Sequence, residues 1–97
     1  MRTIHKYELD ITDVQTIDLP EYAEMLTIQA QRDKLCLWCI IDTEDGIEPR
    51  TFHVVGTGNP MPEPESEDWP TALAYCGTAQ TREGRLVWHV FTEIDFW

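Results

Sequence analysis

The sequence predicts an all-β domain of about seven mainly antiparallel strands, folded as a small sandwich or barrel with a Pro-rich acidic loop. Three observations carry this expectation. Apolar and polar residues alternate with a period of two, turn-forming residues punctuate the alternation, and no amphipathic helix longer than about two turns fits the pattern. At 97 residues, 42% of them hydrophobic, residues 1–97 make one domain with one modest core.

The elements follow in order. His5-Lys-Tyr7-Glu-Leu9-Asp-Ile11 alternates as a half-buried strand does. Gln15-Thr-Ile17-Asp-Leu19 repeats the pattern and stops at Pro20, which has no N–H for a ladder bond. Pro20-Glu-Tyr-Ala-Glu24 has room for one helical turn, and Leu26-Thr-Ile28-Gln-Ala30-Gln31 alternates again. Arg32-Asp33-Lys34 is a tight polar turn into Leu35-Cys-Leu-Trp-Cys-Ile-Ile41, whose apolar character on both faces marks a central strand covered on each side. Asp45-Gly46 is a hairpin dipeptide leading to Phe52-His-Val54-Val55, and Gly56-Thr-Gly58 turns the chain out of that strand. Residues 59–71 hold four of the six prolines and form a surface loop. Residues 73–80, Thr81-Arg-Glu-Gly84 and Leu86-Val-Trp-His-Val-Phe91 make a closing hairpin whose glycine takes positive φ. The order is meander-like, with Trp38 and Trp88 expected in the core.

Catalytic and metal chemistry find little support. Cys36-Leu-Trp-Cys39 has knuckle spacing, but on a strand the two sulfurs point to opposite faces, and there is no second pair to complete a zinc site. His5, His53 and His89 lie on three strands and read as partly exposed sheet histidines. Ser66 is the only serine and sits in the acidic loop, far from any nucleophile-elbow pattern. From Asp42 onward a calcium loop would need Glu at the twelfth position, where His53 stands. No enzyme activity, metal or cofactor is expected. Three cysteines and a polar opening without an export signal point to free thiols in a reducing cytoplasm.

Charge is the most informative feature. With 18 Asp+Glu against 7 Lys+Arg, the net charge of −11 argues against direct nucleic-acid binding and disfavours an anionic membrane surface. Between residues 42 and 68, Asp42, Glu44, Asp45, Glu48, Glu63, Glu65, Glu67 and Asp68 face Arg50 alone. Beside them sit Met61 and Trp69, residue types that suit an interface. The eight acids and Trp69 are therefore the expected partner-binding residues, directed at a protein with a basic surface. The competing reading is a solvated loop that only keeps the chain soluble. The tail Glu93-Ile-Asp-Phe96-Trp97 either packs back on the sheet or offers an aromatic anchor.

Several blocks carry a family resemblance: Met1-Arg-Thr-Ile-His-Lys-Tyr7, Gln15-Thr-Ile-Asp-Leu-Pro20, Leu35-Cys-Leu-Trp38, Arg50-Thr-Phe52, Gly56-Thr-Gly58-Asn-Pro60, Cys76-Gly-Thr78 and Leu86-Val-Trp-His-Val-Phe91. Over nearly its whole length the chain resembles a group of short uncharacterised proteins of tailed phages, prophages and their bacterial hosts. It departs from them in the acidic loop 62–71 and the terminal extension. The resemblance transfers no catalytic residues. It implies a small accessory protein, in the host cytoplasm, that binds and inhibits host machinery such as a CRISPR effector. Two other classes compete: a small-ligand binder using Gly56-Thr-Gly58 and Trp69, and a structural homo-oligomer pairing exposed edge strands.

Overall fold

Seven strands follow one another: β1 (Arg2–Leu9), β2 (Val14–Pro20), β3 (Glu24–Gln31), β4 (Lys34–Asp42), β5 (Ile47–Gly56), β6 (Thr71–Thr81) and β7 (Leu86–Asp95). This computed structural model describes residues 1–62 and 71–95. Glu63, Glu65, Glu67, Asp68 and Trp69, and the Phe96-Trp97 tail, lie outside the described residues.

The strands form two antiparallel sheets, β1-β4-β3 and β2-β5-β7-β6. The shortest principal extent is 15 Å, the depth of two stacked sheets, so the fold is a sandwich. The order is not meander-like. Only β3–β4 and β6–β7 are hairpins, because the chain crosses between the sheets after β1, β2 and β4, and β7 lies between β5 and β6. Asp45-Gly46 accordingly lies in a crossing and not in a hairpin. The Asp42 carboxylate accepts from the Glu44 N–H at 3.0 Å and draws the chain away from β4.

Alternation decides what each sheet buries. Leu35, Leu37, Cys39 and Ile41 of β4 meet Leu19, Phe52, Val54 and Val90 of the opposite sheet, with Leu9, Ile28 and Ala79 completing the core. β4 is central in its sheet, as its apolar run indicates. Its even-numbered side differs from the expectation, since Trp38 and Ile40 face outward and are only half-buried. Trp38 is therefore not a core residue. Trp88 is partly buried against the core, and its indole N–H donates to Thr81 Oγ1 at 3.0 Å.

The turns follow backbone chemistry. Arg32 and Asp33 both have positive φ, 53° and 62°, which is the type I′ geometry of a two-residue hairpin. The β6–β7 turn places Arg82, Glu83 and Gly84 at positive φ. Gly58, at φ 92°, turns the chain after β5 as expected.

Candidate functional site

Two crossings meet at one end of the sandwich. Residues 20–24 carry the chain from β2 to β3, and residues 42–47 carry it from β4 to β5. The Glu21 N–H donates to the Gly46 carbonyl at 2.7 Å and ties the crossings together. Pairing of Pro20 with Ile47, of Glu24 with Ile40 and of Arg2 with Asp42 gathers the ends of five strands there.

Of the described half of the expected acidic set, the structure brings Asp42, Glu44 and Asp45 together at this end, whereas Glu48 borders a separate hollow. The structure adds Glu21 and Glu24, which the sequence reading did not select. The Asp42 carboxyl is held below the usual carboxylate range. The Glu44 N–H is the largest cause, followed by the Met1 ammonium at 3.0 Å. Arg2 Nη2 lies 3.8 Å from Glu24 Oε1, an exposed pair worth little energetically. Arg50 borders a surface hollow together with Glu48 and Glu93.

Tyr22 borders a hollow at this end with Arg2, Glu24, Asp42 and Asp45, and is 83% exposed. The turn is closed by the Ala23 N–H donating to the Pro20 carbonyl at 3.3 Å. Tyr22 takes φ 62° at its third position, where a type II turn favours glycine. Among the described residues, the other non-glycine positive-φ positions all lie in the two hairpin turns. A bulky residue held there is strained, and such strain gathers at functional positions. Ile47, 62% exposed, pairs with Pro20 at the start of the same turn. The segment Pro20-Glu-Tyr-Ala-Glu24 reads equally well as one helical turn, which is why Tyr22 escaped notice.

The remaining candidates resolve into structural roles or single pairs. Cys36 and Cys39 lie on opposite faces of β4, as strand geometry requires, and both are buried. Burial pushes the Cys39 and Cys76 thiols up to about 11, with Arg50 opposing the shift. His89 is held by Thr57 Oγ1 at 2.8 Å and Thr78 Oγ1 at 2.9 Å. His53 is buried, contrary to the expectation, with Nε2 only 2.6 Å from Glu93 Oε2. No group of three His, Cys, Asp or Glu side chains converges as a metal site among the described residues. Among them, too, no helix is long and apolar enough to cross a membrane.

These features define an all-β sandwich of two antiparallel sheets with a carboxylate rim around an exposed, strained tyrosine. Residues 1–96 match the family model described as a domain of unknown function (DUF7352), and the chain belongs to that family. No curated protein and no solved structure matches it.

Proposed function

We propose that this chain is a non-enzymatic accessory protein of the phage type that binds and inhibits a host protein complex, such as a bacterial immune effector, in the host cytoplasm. Docking uses the acidic end of the sandwich against a basic surface of the partner. The observation that carries the reading is Tyr22, exposed and strained among Glu21, Glu24, Asp42, Glu44 and Asp45. Carboxylates steer encounter over a long range, and an aromatic anchor holds the complex after contact. The resemblance to phage and prophage proteins supports the choice of partner, as analogy.

The test is kinetic. A partner is captured from a bacterial host at low salt, and its association with the purified chain is followed. The rate is expected to fall several-fold between about 0.05 and 0.5 M NaCl, as the Debye length drops from roughly 14 to 4 Å. Replacing Glu21, Glu24, Glu44 and Asp45 by lysine slows association, whereas Tyr22→Ala speeds dissociation. Unchanged kinetics in both variants would place the interface elsewhere.

A further inference from the structure

The two sheets meet along one side, where β3 packs against β6, and β1 and β2 are the outermost strands on the other. The residues along these two edges are open to solvent. Arg2, Ile4, Lys6 and Glu8 on β1, and Val14, Thr16 and Asp18 on β2, are all exposed. Strands of eight and seven residues with open edges are templates for pairing with another chain.

Ladder geometry fixes which backbone groups those edges offer. The Thr43 N–H donates to the Met1 carbonyl at 2.9 Å, so the odd-numbered residues of β1 bond to β4 and the even-numbered ones turn N–H and C=O outward. The Val54 N–H donates to the Asp13 carbonyl at 3.2 Å, so the even-numbered residues of β2 also face out. Pro20, with no N–H to offer, falls on that open side, where a strand tolerates it.

Charge and chain direction select the occupant. In a chain of net charge −11, β1 is the one strand of the seven with more basic than acidic residues, Arg2 and Lys6 against Glu8. β2 carries Asp18 alone. The two strands run in opposite senses, because Arg2 and Pro20 both lie at the acidic end. A two-fold axis running along the strands, between the sheets, therefore lays β1 of one copy antiparallel to β2 of another. It repeats the contact on the other layer, whichever edge projects further. With the ends aligned, Ile4, Lys6 and Glu8 face Asp18, Thr16 and Val14 of the second copy. Even-numbered residues then meet even-numbered ones, as the outward N–H and C=O groups require.

We propose that this chain forms a symmetric dimer by reciprocal pairing of β1 with β2, in which Asp18 of each copy lies between Arg2 and Lys6 of the other. Three facing pairs on each of two seams give about twelve backbone hydrogen bonds. In the single chain Arg2 leans toward Glu24 at 3.8 Å and Lys6 toward Gln31 at 2.8 Å, exposed contacts that cost little to exchange. Both acidic ends of the dimer face the same way, and the pairing does not depend on what those ends bind.

Sedimentation of the full chain at roughly 0.1 mM is expected to report twice the 11.3 kDa chain mass, falling toward the monomer on dilution. Ile4→Pro removes an N–H that faces the open edge and leaves the β1–β4 ladder intact. It is expected to give a monomer with unchanged far-UV circular dichroism. Asp18→Lys, on the surface of β2, sets a third cation between Arg2 and Lys6 and is expected to weaken the dimer about tenfold or more. Adding Lys6→Glu to it restores an opposite-charge neighbour and is expected to recover most of the loss. A monomer in the parent chain at this concentration overturns the proposal. A dimer indifferent to Asp18→Lys overturns it too, whatever becomes of Ile4→Pro, because the contact would then not join β1 to β2.

Discussion

Gly77 and Ile28 meet across the seam between the two sheets so closely that a Cβ on Gly77 would stand 2.8 Å from the Ile28 Cβ. The Ile28 backbone nitrogen would lie 3.1 Å from the same atom, so no rotamer change relieves the contact. Edge strands β3 and β6 close one side of the sandwich at this point, helped by the irregularity between Tyr75 and Gly77. Gly77→Ala is expected to destabilise the fold by about 1–3 kcal/mol, which urea unfolding measures. Adding Ile28→Val, which leaves Cβ in place, gives no rescue; a restored midpoint would refute the close approach.

The thiols make a second prediction. With Cys39 and Cys76 pushed up to about 11 by burial, roughly one molecule in a thousand carries either as thiolate at pH 8. Iodoacetamide is expected to leave both unlabelled in the folded chain and to modify them in urea, as read by intact and peptide mass. Native labelling at the rate of a free thiol would show that the inner face is open.

Acid should uncouple the crossing at residues 42–47. The Asp42 carboxyl is depressed by the Glu44 N–H and then by the Met1 ammonium. Its stabilisation is therefore present above the unfolded value near 3.9 and is lost as pH falls through the lower folded value. Asp42→Asn should lower the melting temperature near pH 7 and converge on the parent chain at strongly acid pH. A difference that does not shrink in acid would assign the effect to packing.

Strain and binding separate at Tyr22. Glycine accepts φ 62° without steric cost, so Tyr22→Gly is expected to stabilise the isolated protein by about 0.5–1 kcal/mol. The same variant is expected to hold the captured partner less well. Destabilisation in urea would instead mean that the ring supports the turn.

Much of the architecture was legible because alternation directly encodes which residues share a face. The ladder positions in β2, β4 and β7 follow from it, as does the divergence of Cys36 and Cys39. Strand partners were not legible, because pairing β1 with β4 or β2 with β5 leaves no local signature. Nor did the run around Trp38 reveal which face would be half-covered, since both faces are equally apolar. Asp45-Gly46 had hairpin chemistry, yet the Asp42 carboxylate and the link from Glu21 to Gly46 give it a different task. The acids from 42 to 48 were found by charge alone. Glu21, Glu24 and Tyr22 join them only through that tertiary link.

That link has a consequence for how the acidic end comes into being. The rim is composed of crossings between sheets, and Glu21 and Gly46, which tie its two segments, are 25 positions apart in the chain. Such pairings wait on slow loop closure, whereas the β3–β4 and β6–β7 hairpins assemble locally. In refolding, the tyrosine and its carboxylates should therefore adopt their arrangement late, on a timescale of roughly milliseconds to seconds. A peptide copying residues 18–24 or 42–48 would lack the other half and should not compete for a partner. The surface is a property of the finished sandwich and not of any transplantable stretch of it.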